Sequence, residues 1–419
     1  MNKTDKTEQL FIRDVQYYKF CAYGFLKNLK FFEPFLLLFF LEKGITFLQI
    51  GTLYASREAL INVFEIPSGI VADSIGRRKV MALSLLSYIL SFIIFFFSQS
   101  YLLLLGAMFF FAIGEAFRTG THKAMIFTYL KENSMLDLKA LYYGHTRSWS
   151  QIGSAISALI AAALVFYSGS YAPIFLFTII PYVADFFLIL SYPKSFDEYT
   201  SHKEKTIPQI FKEVFKGLIV SFKNITLLKG IGNQAVYSGY YKAVKDYIQP
   251  IIKSVALSLP FFIKADQSKR TAFTTGVIYF VIYFLTSFAS KYSHQLSNRF
   301  SSPEKALNSY LFIGVFFGAV SALFYYAHLP LIAVVFFLMI YMIENLRKPI
   351  GIAYVTSLMD EVALASLLSV ESQAETGFAV VFSLLIGILT TIFSLPIALF
   401  SVSIILLVLS LFLRLKEVK

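Results

Sequence analysis

A single cysteine, Cys21, stands in the 419-residue chain, so no intrachain disulfide can form. Metal-ligand spacings such as C-x-x-C and H-E-x-x-H are missing, as is a G-x-x-x-x-G-K-[ST] phosphate loop. No metal site, no cofactor and no nucleotide-driven pumping are therefore expected. No nucleophile–base pattern occurs either, so the chain is not expected to be an enzyme. Charge is scarce: 15% of residues are Asp, Glu, Lys or Arg, against about 25% in an ordinary soluble domain. The apolar share is 57%, above the usual value of about 45–50%, so most of the chain must face lipid or protein. The first residues are polar and charged rather than a leader-like apolar run, so no cleavable signal peptide is expected.

What the sequence does contain is long apolar stretches. Counting stretches of about 20 mostly apolar residues gives about twelve spans. They fall at 22–42, 46–72, 79–98, 102–130, 141–167 and 172–192, then 225–253, 271–291, 305–327, 330–357, 365–393 and 395–414. Pro67, Pro181, Pro250 and Pro349 are candidate kinks. The net charge of +12 sits mainly in loops of one side, which suits a membrane protein and needs no nucleic-acid partner. That side carries the N-terminal tail, 77–79, 131–139, 194–223, 291–305 and the C-terminal tail. The other carries only Lys43, Lys264, Lys269 and Arg270. The Lys/Arg-rich side is cytoplasmic by the positive-inside rule, which places both termini inside a bacterial inner (cytoplasmic) membrane.

The expected fold is all-α and integral to the membrane: twelve transmembrane helices in two six-helix bundles. Residues 1–192 form the first bundle, 193–224 a cytoplasmic linker and 225–419 the second. Within the linker Ile207, Ile210, Phe211, Val214, Phe215, Leu218, Ile219 and Phe222 recur at helical spacing, with Lys212, Lys216 and Lys223 opposite. That pattern predicts an interfacial amphipathic helix, read as a tether on the inner leaflet.

Between the second and third spans lies Gly69-Ile-Val-Ala-Asp73-Ser-Ile-Gly76-Arg77-Arg78-Lys79. It resembles the loop signature of the major facilitator superfamily, G-x-L-A-D-R-x-G-R-R/K, with Ser74 in place of the usual basic residue. The preceding Glu65-Ile-Pro-Ser-Gly69 resembles the E-I-P-T-G pattern of a bacterial subgroup of mixed or unassigned substrates. The resemblance implies secondary transport by alternating access, with Gly69, Asp73, Gly76, Arg77 and Arg78 acting as a conformational latch. The glycines suit close helix approach and a sharp turn. The plain alternative is a basic hairpin that only fixes topology. After the eighth span SKYSHQLSNRFSSPEK offers Arg299 as a weak counterpart of Arg77, with Asn298 at a glycine position.

Ionisable residues at membrane depth are costly and are functional candidates by default. The fourth span places Glu115, Arg118 and His122 on one helix face, beside Lys123. A buried Glu115–Arg118 pair that only fixes packing is the alternative. The seventh span carries Tyr237, Tyr241, Lys242, Lys245 and Asp246; by the resemblance this span and the first line a central cavity. The tenth span carries Glu344, which can pair with Arg347 or Lys348, and the eleventh puts Glu371 and Glu375 on one face. Glu65 lies eight residues before Asp73, roughly 12 Å into the membrane at 1.5 Å per residue. Lys27 and Arg147 read as snorkelling residues at helix ends.

An unpaired cation at low dielectric needs a carboxylate or an anionic ligand. Arg118, His122, Tyr237, Tyr241, Lys242, Lys245 and Arg347 are accordingly the expected binders of a small anionic organic substrate. Glu65, Glu115, Glu344, Glu371 and Glu375 are the expected proton-coupling carboxylates, and His122 is a further proton carrier. Besides substrate, the expected partners are protons and the lipid bilayer, with the chain a monomer. Three other readings stand beside this one: efflux of amphipathic drugs, import of a polycarboxylate metal chelate of the siderophore type, and a non-transporting receptor or scaffold. The fifth span, QIGSAISALIAAALVF, lacks the Gly-Pro motif of proton-driven drug antiporters, which weighs against efflux.

Overall fold

The computed structural model describes residues 13–135, 139–197, 225–259, 266–297, 299–358 and 364–416. No β-strand occurs among them. In chain order the helices are α1 (Val15–Lys27), α2 (Leu36–Glu42), α3 (Phe47–Ile75), α4 (Arg77–Phe97), α5 (Tyr101–Arg118), α6 (Thr121–Glu132), α7 (Lys139–Ser168) and α8 (Pro173–Leu190). There follow α9 (Ile225–Val244), α10 (Ile248–Ser258), α11 (Gln267–Ser297), α12 (Pro303–Tyr326), α13 (Pro330–Ser357), α14 (Leu364–Ile392) and α15 (Leu395–Phe412). Among the described residues, nine helical spans are long and apolar enough to cross a membrane. The other three expected spans are the first, second and seventh. The first is interrupted after Lys27, α3 carries Arg57, Glu58 and Glu65, and α9 is made polar by Lys229, Asn233, Gln234 and Lys242. The outward faces of α8 and α11 present Ile180, Phe187, Phe284 and Phe288, as lipid-facing helices should.

Three spans expected to be continuous are broken. The first stops at Lys27 and resumes through a 3-10 turn at Glu33–Phe35 before α2. Asn28 donates from its side-chain amide to the Gly24 carbonyl at 2.6 Å, a local bond that competes with the helix. Pro34 disfavours helical backbone at the residue before it. The fourth span breaks between α5 and α6 at Gly120, whose φ of 84° suits glycine alone. The seventh passes through a 3-10 turn at Lys245–Tyr247. Pro250 then falls in the first turn of α10, where its missing N–H costs no helical bond.

Two compact units are present. One comprises the described residues of Met1–Glu33 and Leu60–Ile207, the other those of Pro34–Ala59 and Pro208–Lys419. In the first, α1 packs on α7 and α8, and α4 packs on α5 and α8. A Cβ on Gly153 of α7 would lie 2.6 Å from the Phe25 carbonyl, so α1 and α7 meet backbone to backbone. In the second unit α9 packs on α14 and α13, and α12 packs on α13 and α15. There the Gln249 side chain accepts from the first amides of α2, Leu37 at 2.9 Å and Leu38 at 3.3 Å, filling a helix N-terminus. The amphipathic segment 207–223 and Asn298 lie outside the described residues.

Candidate functional site

In the first unit the break between α5 and α6 leaves Arg118 at the last turn of one helix and His122 in the first turn of the next. Together with Lys27 from α1 and Arg147 from α7 they line a half-open pocket of about 120 Å³. Phe20, Tyr23 and Ser150 complete much of its wall. Lys27 and Arg147 were expected to snorkel; instead both line this pocket.

Glu115 forms an ion pair with Arg118 and accepts a hydrogen bond from the Tyr88 hydroxyl. The Arg118 Nε also reaches the Tyr88 oxygen at 3.4 Å. Lys27 and Arg147 have neither an ion pair nor a side-chain hydrogen bond among the described residues. The His122 ring stacks on Tyr23 with centroids 3.8 Å apart and meets the edge of Phe20 at 5.5 Å. Its Nε2 is buried with no hydrogen-bond partner among the described residues, an unsatisfied polar atom.

The second unit holds an alternating chain of charges. Arg57 donates to Glu58 at 2.9 Å, and Glu58 lies 3.7 Å from the Lys242 ammonium. Lys242 reaches Glu375 at 3.0 Å; Glu375 meets Lys348 at 3.3 Å, and Lys348 lies 3.9 Å from Glu344. Three cations thus alternate with three carboxylates. Glu371, one turn before Glu375, is a fourth carboxylate, and its buried Oε1 has no hydrogen-bond partner among the described residues. Glu344 accepts from Ser238 at 2.8 Å through Oε1, while its other oxygen is buried without a partner among the described residues.

Arg347 does not pair with Glu344, although their spacing allowed it. It turns away and is completely buried, donating to the Asn233 side-chain oxygen at 2.7 Å and to the Asn233 carbonyl at 3.0 Å. Tyr237 lies over its guanidinium at 4.9 Å and donates to the Ile340 carbonyl. These two residues tie α9 to α13 and are not brought to Lys242's charge chain. Tyr241 packs edge-on against Tyr341, whose hydroxyl donates to the Lys245 carbonyl at 2.7 Å. Glu65 is half-buried on α3.

In the α3–α4 hairpin Gly76 adopts φ 101°, and a Cβ there would collide with Asp197. Asp197 accepts from the Arg78 amide and from its Nε, each at 3.0 Å. Arg77 donates to Thr128 at 2.7 Å. Among the described residues, Gly69 has open space around it. The side chain of Asp73 lies outside the described residues.

Sequence reading missed Arg57 and Glu58, although adjacent charges inside the second span were a usable signal. It also missed Asp185, a lone acid in the apolar run PYVADFF, and Asp197 just beyond the sixth span.

The family model described as Major Facilitator Superfamily matches residues 20–370. A relative from Bacillus subtilis (strain 168), named "Uncharacterized MFS-type transporter YxaM", is 33% identical over 90 residues, or 22% of this chain. The matched stretch spans 23% of that relative's length. Among solved structures, a point mutant of the nucleoside transporter NupG superposes with a TM-score of 0.75 at 13% identity, covering 95% of this chain and 98% of that one. A point mutant of the peptide transporter POT gives 0.71 at 12% identity, covering 99% and 97%. At such identities the likeness is one of fold. The twelve-span all-α architecture, the hairpin signature and the family match over most of the sequence make this chain a multi-pass membrane transporter, not an enzyme, and a member of the Major Facilitator Superfamily.

Proposed function

We propose that the chain is a proton-coupled secondary transporter of a small organic anion, working by alternating access in the cytoplasmic membrane with both termini inside. The observation that carries this reading is the charge balance of the first unit's pocket. Lys27, Arg118 and Arg147 converge on it, and the carboxylate paired there, Glu115, is already committed to Arg118 and Tyr88. Cations left without a carboxylate in a half-buried site favour an anionic ligand. His122 adds a nitrogen able to donate to such a ligand in one tautomer or when protonated. Ligand-induced thermal stabilisation of the purified protein, across a panel of carboxylates, organic phosphates and cationic dyes, tests it. Stabilisation by anions that is lost in Lys27→Gln and Arg147→Gln is expected. Stabilisation by cationic dyes with no response to any anion overturns the reading in favour of drug efflux.

Coupling is assigned to the second unit's network. Three of its carboxylates are matched by three cations, and Glu371 is in excess. An extra buried carboxylate is most readily accommodated by taking up a proton. Glu371→Gln should abolish uptake driven by a pH gradient while sparing exchange at equal pH. Gradient-driven uptake at the wild-type rate in this variant removes Glu371 from the coupling path.

A further inference from the structure

Asp185 lies in the middle of α8 and is completely buried, with both carboxyl oxygens lacking a hydrogen-bond partner among the described residues. Two hydroxyls on its own segment could have served it, but both are engaged elsewhere. Tyr182 donates to the Lys27 carbonyl at 3.2 Å, and Tyr192 donates to the Lys19 carbonyl at 3.2 Å. Among the described residues, neither of the nearby cations forms an ion pair with it. Arg118 is held by Glu115, and Lys27 faces the pocket. An ionised carboxylate in this position would be a buried charge with neither a hydrogen bond nor a counter-ion, an arrangement that proteins avoid by neutralising the group.

The surroundings also show how that charge could be matched. Tyr182 and Asp185 are three residues apart and share a face of α8. Tyr182 fixes the backbone of Lys27 against that face, at the last residue of α1 before the break. A lysine ammonium on its flexible four-carbon stem can turn from the pocket toward the acid. The groups that feel the Asp185 charge are Lys27 and Tyr23 from α1, Arg118 from α5, and Tyr182 and Tyr192 from its own segment. From α4, Tyr88 spends its hydroxyl on Glu115, and from α7 Arg147 lines the pocket.

We propose that Asp185 is a proton-binding site of the first unit, neutral while Lys27 faces the pocket and ionised when the Lys27 ammonium moves onto it. In the ionising step the carboxyl O–H bond breaks and the electron pair stays on the oxygen. The proton is released to solvent, and the carboxylate pairs with the ammonium. The pocket thereby loses one cation each time Asp185 loses its proton, which links occupancy by an anion to protonation. The site does not depend on Glu371 or on the identity of the substrate.

Infrared spectroscopy of the purified protein in D2O, with aspartate carbon-13 labelled at the carboxyl, tests this directly and needs no ligand. At neutral pH a neutral carboxylic-acid C=O band should appear, shift with the label and vanish in Asp185→Asn. If the asparagine variant does not fold, Asp185→Glu should move the band out of the labelled set. In Lys27→Met the band should persist to higher pH than in the wild type, because the ionised form has lost its partner. A wild-type protein with no labelled acid band, or a band retained in Asp185→Asn, overturns the proton site. A titration unchanged by Lys27→Met overturns the pairing with Lys27.

Discussion

Lys242 of α9 and Glu375 of α14 meet at 3.0 Å, and the same carboxylate oxygen holds Lys348 of α13 at 3.3 Å. One acid therefore neutralises two cations supplied by two other helices. Glu375 is buried, whereas the Lys242 side chain keeps a third of its exposure. The asymmetry predicts an order of damage. Glu375→Gln leaves both ammonium groups short of a counter-charge and should cost about 2–4 kcal/mol, toward the range for a broken buried pair. Lys242→Met leaves Glu375 with Lys348 and should cost about 1 kcal/mol, nearer an exposed pair. Thermal unfolding midpoints in detergent give the comparison; a larger loss in Lys242→Met would contradict the arrangement.

Gly76 bends the chain between α3 and α4 in a backbone region closed to other residues, with Asp197 against it. Gly76→Ala should destabilise by about 1–3 kcal/mol through strain of that kind. Ser74 is exposed and, among the described residues, bonds only to its own helix, so Ser74→Ala should stay within about 0.5 kcal/mol. Denaturant titration of both variants separates a strained turn from a generally sensitive hairpin.

Arg78 and Asp197 join the start of α4 to the segment after α8. A double-mutant cycle with Arg78→Ala and Asp197→Ala should return a coupling of about 1–2 kcal/mol, as for groups in direct contact. Additive losses would show that the two residues act independently. For the latch itself, Asp73→Asn should express normally and transport slowly, and wild-type rates would sink that role.

Arg118 and Arg147 share a pocket but differ in what they hold. Arg118→Ala strands Glu115 and should lower both thermal stability and anion binding. Arg147 has no partner among the described residues, so Arg147→Ala should weaken anion binding with the melting midpoint nearly unchanged. Paired melting and ligand-shift measurements distinguish the two, and equal stability losses would refute the difference.

Helix number and type were legible because lipid demands long apolar stretches. The hairpin was legible because glycine and charge are conspicuous between two such stretches. The breaks in the first and fourth spans were harder to see. Asn28 and Gly120 each act through one local geometry, a side-chain bond or a positive φ, that hydropathy does not register. The spacing of Glu115, Arg118 and His122 predicted a shared face, and they do converge, though across a helix break rather than along one helix. For Arg347 the spacing misled. The spacing allowed Glu344, but Arg347 bonds to two oxygens of Asn233 from another helix, at 2.7 and 3.0 Å. Pairings of that kind are decided by packing between distant segments, which periodicity within one segment cannot show.

Residues 34–59 belong with the second unit although they precede most of the first in sequence. Gly51 shows how tightly they are held there: a Cβ on it would sit 2.6 Å from the Ser383 carbonyl and 3.0 Å from the Gly387 Cα. A gene cut within the linker would therefore not yield two self-sufficient fragments. The carboxy-terminal piece would be made without the segment that covers α14 and that supplies Glu58 to Lys242. Split versions of this transporter should assemble only when both fragments are co-expressed, and a carboxy-terminal piece extended by a fused copy of 34–59 should fold better than one without it.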